Sequence, residues 1–204
     1  PESPRGRPTR VVFRWPPWRS VAISPAGDRL YLNSWGDGLY VWQLDGDRAQ
    51  RLPAPTDQPV SALALSPDGS LLALGDRSGG VTLIGPDSSR QLLTDRSGPG
   101  AAITVLSFSP QGDLLAAGGQ QGPLRLWTLA AATATAPADP IRLPGPRGEV
   151  RALAFDAHGR RLAVGGDDKV VEVWDLERIQ DLLASMGLGW RPPGPGRPPS
   201  DQRL

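Results

Sequence analysis

Side chains able to do chemistry are few in this 204-residue chain, which holds one histidine, His158, and no cysteine. A thiolate nucleophile, a disulfide, a thiolate metal site and the several-histidine cages of zinc hydrolases are therefore excluded. His158 falls in a short turn, where the sister turns carry Ala26, Asp68 and Gln111. It reads as a variable turn residue and not as a general base. Asp45-Gly46-Asp47 and Asp167-Asp168 have a spacing that calcium loops use. The first is better explained by a turn between strands. There is no Gly-x-Ser-x-Gly elbow and no phosphate-binding loop closing on Lys-Ser or Lys-Thr. These absences predict a chain that is not an enzyme, with no cofactor and no metal.

Charge adds little chemistry of its own. Lys and Arg number 22 against 21 Asp and Glu, and no basic block accumulates, so no specific nucleic acid is expected as a partner. No apolar run approaches the ~18 residues needed to cross a bilayer, and no secretory signal opens the chain. The expectation is a soluble, cytoplasmic protein with no membrane association. A start at Pro1 fits a chain that is processed or belongs to something longer.

The elements that position these residues repeat. Ser24-Pro25-Ala26-Gly27, Ser66-Pro67-Asp68-Gly69, Ser109-Pro110-Gln111-Gly112 and Asp156-Ala157-His158-Gly159 place turn glycines 42, 43 and 47 residues apart. Trp42, Ile84, Trp127 and Trp174 keep the same intervals, so two unrelated residue types share one register. Each turn follows an alternating strand such as Leu63-Ala64-Leu65 and precedes a second strand begun by Leu30, Leu72, Leu115 or Leu162. A third strand ends at the tryptophan column, and a fourth follows the first three units at 50–52, 91–94 and 141–143. Four short antiparallel strands at this period describe a propeller blade.

In the last unit, Gly165-Gly166-Asp167-Asp168-Lys169 leads into Val171-Glu172-Val173-Trp174-Asp175-Leu176. This resembles the WD-repeat family, with Trp174-Asp175 as the defining pair, and the resemblance spans roughly residues 11 to 176. It implies an all-β, WD-type β-propeller of four four-stranded antiparallel blades with a short C-terminal helix. The closing residues look like the end of long bacterial WD-repeat chains, some of which carry a kinase domain elsewhere. No kinase motif is present. The resemblance also makes Asp168 a buried structural residue, and Trp42, Trp127 and Trp174 packing residues between blades. The other copies depart from the pattern at Trp42-Gln43, Ile84-Gly85 and Trp127-Thr128, and the family's Gly-His pair is missing, with Gly145-Pro146 as its nearest counterpart. The buried network in which that histidine joins the aspartate must be incomplete.

This organisation predicts an N-terminal segment at 1–17 with one strand at 11–14. Blades are expected at 18–59, 60–100, 101–148 and 149–176. An amphipathic helix over 177–187 follows, capped by Asp175 and ended by Gly187, and then a disordered tail over 188–204 rich in Pro, Gly and Arg. The tail's Pro192-to-Arg197 run matches polyproline ligands by composition alone. Strand 11–14 stands where a fourth strand belongs. It is a clasp for the last blade or the remnant of an earlier one, and ring arithmetic favours the remnant, hence an arc of a larger ring whose exposed ends promote self-association.

Function follows from what such blades display. The expected role is a non-catalytic protein–protein interaction scaffold that binds other proteins through loops on one rim. Position alone nominates Arg19, Trp35, Arg77, Gln120, Arg147, Arg151 and Lys169, on loops before the first strands and between the second and third. Trp35 fits an interface anchor and loop packing equally. The alternative is an enzymatic propeller with a metal or cofactor in its central channel. Its polar ligands are wanting on the apolar inner strands.

Overall fold

One local device sets the chain path four times. The hydroxyls of Ser24, Ser66 and Ser109 open the turn after each first strand and accept the amide five residues on, at Arg29, Leu71 and Leu114. In the fourth repeat Asp156 takes the amide of Arg161 in the same way, so an acid replaces an alcohol without altering the turn. Gly27, Gly69, Gly112 and Gly159 close these turns at φ of 69, 73, 72 and 63°, a left-handed conformation that a Cβ disfavours.

The computed structural model describes residues 18–34, 38–44, 49–53, 58–85, 90–93, 100–129 and 139–185. The first blade contains β1 (Trp18–Ile23), β2 (Arg29–Ser34), β3 (Gly38–Gln43) and β4 (Ala49–Leu52). The second contains β5 (Val60–Leu65), β6 (Leu72–Asp76), β7 (Val81–Ile84) and β8 (Arg90–Leu93). The third contains β9 (Ile103–Phe108), β10 (Leu114–Gly119), β11 (Leu124–Thr128) and β12 (Ile141–Leu143). In the fourth, β13 (Val150–Phe155), β14 (Arg161–Gly166) and β15 (Val171–Asp175) form three strands among the described residues. All pairings are antiparallel between chain neighbours. The expected strand at 11–14, the acidic turn at 45–47 and the C-terminal tail lie outside the described residues.

Every first strand bulges at one register. Trp18, Val60, Ile103 and Val150 pair normally, and the ladder resumes two residues later at Ser20, Ala62, Val105 and Ala152. Arg19, Ser61, Thr104 and Arg151 are left over, and a bulge re-aims such a side chain.

The four sheets follow one another as blades, with β1 against β5, β5 against β9 and β9 against β13. On the first strands the side chains toward the successor are small, as at Ala22, Ala62 and Ala64, and those toward the predecessor large, as at Leu63, Leu65, Leu106 and Phe108. Between the second and third blades, Ala62, Ala73, Val81 and Leu83 meet Ile103, Leu106, Leu115 and Trp127. Between the third and fourth, Ala116, Leu124 and Leu126 meet Val150, Leu162, Val164 and Trp174. Close approach demands glycine there: a Cβ on Gly75 would lie 2.5 Å from Ile103 Cγ2, and one on Gly118 2.5 Å from Val150 Cγ1. Cross-blade hydrogen bonds tie the same places, from Asn33 Nδ2 to the Val60 carbonyl, Ser61 Oγ to Ile103 and Thr104 Oγ1 to Val150.

Helix α1 (Leu176–Ser185) begins one residue before the expected 177. The Asp175 carboxylate caps it by accepting the Arg178 amide at 3.0 Å. Leu176 is buried in the junction of the last two blades, and Ile179 packs beside it. The expected end at Gly187 lies outside the described residues.

Candidate partner-binding rim

The turns between second and third strands sit beside the segments that enter the inner strands. The amides of Arg77, Gln120 and Asp167 donate to the carbonyls of Pro59, Ala102 and Glu149. That bond recurs in three blades and stacks two kinds of loop at one end of each sheet. The hairpin turns holding Pro25, Pro67, Pro110 and His158 are at the opposite end, as antiparallel order requires.

Within the first rim a hollow of about 260 Å3 is lined by Arg19, Arg77, Ala102, Thr104 and Gln120. Three blades contribute. Arg19 and Thr104 arrive by the bulge, Arg77 and Gln120 from their turns, and Arg19, Arg77 and Gln120 are exposed. Arginine only donates hydrogen bonds, while glutamine and threonine donate and accept, so the hollow is rich in donors.

A second group gathers on the fourth blade. Arg151 Nε lies 2.8 Å from Asp167 Oδ1 and its Nη2 3.1 Å from Glu149 Oε2. The Asp167 hydrogen bond first, and the two negative charges with it, raise the pKa of this guanidinium. Arg147 is exposed, and its backbone amide donates to Asp168 Oδ2 at 3.1 Å. Lys169 is exposed at φ 63°, in the place that Gly79 and Gly122 fill in earlier blades.

The nominated residues thus divide: Arg19, Arg77 and Gln120 meet at the hollow, and Arg147, Arg151 and Lys169 meet beside three carboxylates. Trp35 lies outside the described residues. Thr104 was missed, although it follows the column of Trp18, Val60, Ile103 and Val150 that the repeat supplies. Also missed was Arg125, a buried arginine on β11 whose Nη1 reaches the Gly79 carbonyl of the preceding blade at 2.7 Å. No periodicity announces it, since Tyr40, Thr82 and Glu172 hold the register elsewhere.

Asp168 differs from the expectation in one respect, being half-buried and not buried. Its carboxylate accepts the amides of Arg147 and Val170. The first of these follows Gly145-Pro146 directly, so a backbone N–H bonds the acid where the histidine is missing. In the second blade the buried acid is Asp76, which closes on its own turn through the amides of Ser78 and Gly80. Trp127 and Trp174 have buried indole N–H groups without an acceptor among the described residues. Among those residues no group of three or more His, Cys, Asp or Glu could hold a metal ion, and no helix is long and apolar enough to cross a membrane.

The family model for the WD domain, G-beta repeat, matches residues 46–83, 90–128 and 140–175. These segments cover more than half of the chain, and the chain belongs to the WD-repeat family. Each match runs from the fourth strand of one blade through the third strand of the next, so the sequence unit is offset by one strand from the structural one. The first three strands of the first blade lie outside the matches and carry the same hairpins and bulge. Among curated proteins, none matches the chain. WD-repeat domains generally serve as protein-interaction scaffolds, bind other proteins and are typically non-enzymatic.

Proposed function

We propose that this chain is a non-catalytic scaffold that binds a partner protein at the rim hollow formed by Arg19, Arg77, Thr104 and Gln120. The observation that carries this reading is convergence: residues 19, 77, 104 and 120 come from three blades yet line one recess. A donor-rich recess suits the carbonyl and carboxylate oxygens of an inserted segment. Arginine at such a place supplies planar, two-pronged bonds that a lysine would not.

The test uses the whole chain as bait, with Arg19→Glu/Arg77→Glu set against Arg29→Glu on the opposite rim. Proteins held by the native chain should be lost with the first variant and kept with the second. Equal capture by all three baits, or equal loss from both variants, would refute the assignment of the rim.

A further inference from the structure

The bulge of the first blade is used differently from those that follow. In the second and third blades the bulged residue is Ser61 or Thr104, and its hydroxyl donates at 2.6 Å to the carbonyl of the next blade's first inner residue, Ile103 or Val150. The first blade makes that tie with Asn33, whose Nδ2 lies 3.1 Å from the Val60 carbonyl. Asn33 stands in β2 where β6 and β10 carry Gly75 and Gly118, the glycine sockets that receive Ile103 and Val150. With the tie made from β2, the bulge position of β1 holds Arg19, which is exposed and lines the hollow together with Arg77 of the next blade.

The chemistry of this lining is selective. Its charged members among the described residues are both arginines, from neighbouring blades. A guanidinium fork matches the oxygens of a carboxylate or a phosphate in planar, charge-assisted pairs. Thr104 separates these two anions. The carbonyls within its reach, Val150 at 2.6 Å and Gly118 at 3.3 Å, only accept, so its hydroxyl proton is committed to them and the oxygen has lone pairs alone left to offer. An acceptor in the lining opposes a phosphate, which brings a charge of about −1.5 to −2 and three acceptor oxygens. It suits a segment that brings an N–H along with its carboxylate. The volume of about 260 Å3 is below the ~300–1,000 Å3 in which proteins enclose a small molecule, which favours a single inserted side chain.

We infer that the hollow receives the side chain of an Asp or Glu from an extended, acidic segment of the partner protein. Its carboxylate lies between Arg19 and Arg77, and backbone N–H groups of the same segment donate to Thr104 Oγ and to the side-chain carbonyl of Gln120. This rests on the hollow being the partner-binding site, and adds the charge and the hydrogen-bond polarity of what enters it.

Selection of short random peptides, displayed on phage with their C-termini fused, tests the two levels separately when the full native chain and its Arg19→Glu/Arg77→Glu variant serve as baits. Clones that bind the native chain and not the variant should share one Asp or Glu position, and the variant should select Lys or Arg there. With a synthetic peptide of the selected sequence, fluorescence anisotropy should show affinity falling about tenfold or more when that acid is replaced by its amide. Arg19→Lys/Arg77→Lys, which keeps the charge and loses the forks, should weaken the peptide in the same direction. Both positions are exposed, and an unchanged far-UV circular dichroism separates lost binding from lost fold. Clones that depend on the hollow but share no acidic position would overturn this inference and leave the binding site standing. A peptide that binds more tightly with phosphoserine in place of the acid would overturn it in favour of a phosphorylated segment. If no clone distinguishes the native chain from Arg19→Glu/Arg77→Glu, the site itself falls and this inference with it.

Discussion

Asp76 and Lys169 occupy related turns and load them differently. Asp76 is buried, and its Oδ1 accepts the Ser78 amide at 2.8 Å, the Ser78 hydroxyl at 2.7 Å and the Gly80 amide at 2.9 Å. Asp76→Ala would orphan those donors and should cost about 1–3 kcal/mol in a denaturant titration. Lys169 instead holds a left-handed backbone that L-residues resist. Lys169→Gly should raise stability in that titration by about 0.5–1 kcal/mol, the relief of strain being offset in part by the freer unfolded glycine. Asp68 adds a dependence on pH. Its pKa is lowered from 3.8 to about 2, first by the Ser66 hydroxyl and then by the Ser70 amide and hydroxyl. A carboxylate with a depressed folded-state pKa stabilises the fold above its unfolded value and ceases to as pH falls to the folded one. Stability from Asp68 is therefore present above 3.8 and lost on the way down to about 2. Asp68→Asn should flatten that part of the acid limb when midpoints are measured across it, and an unchanged limb would refute the assignment.

Among the elements, the repeated bulge and the glycine sockets decide how blades meet. The bulge brings Ser61 and Thr104 hydroxyls onto carbonyls of the next blade at 2.6 Å each, and brings Arg19 to the rim instead. The sockets let second strands approach neighbouring inner strands without a Cβ between them. Gly75→Ala should overpack against Ile103 and lower stability by about 1–3 kcal/mol in the same titration. The helix is held more simply, by the Asp175 cap and by burial of Leu176.

Along the full arc, stability should decline from the middle outward, because each blade leans only on its neighbours. The strands already differ: β6 is buried throughout and β10 nearly so, whereas β1 and β15 alternate between half-buried and exposed. Native-state hydrogen exchange should show β6 and β10 slowest and β1 and β15 fastest. Uniform protection would mean that the blades unfold as one unit.

The features legible in one dimension are those carried by local chemistry. Turn glycines, the tryptophan column and period-two alternation act within a few residues, so they disclosed the number of blades, the strand order and the Asp175 cap. Burial of Asp168 was overstated, since its partner is a backbone amide exposed at the rim and not a histidine held inside. The bulge was invisible because it is a mismatch between two strands and leaves no composition of its own. The hollow was legible only as scattered candidates: residues 19, 77 and 120 are far apart in the chain and converge through the packing of three sheets. Which apolar faces stay open depends on the packing of blades and on nothing local. Val173 and Leu83 hold one register, each a residue before the tryptophan column, and read alike in the sequence. Leu83 is a core residue because a following blade covers it, and Val173 is exposed because no described element does.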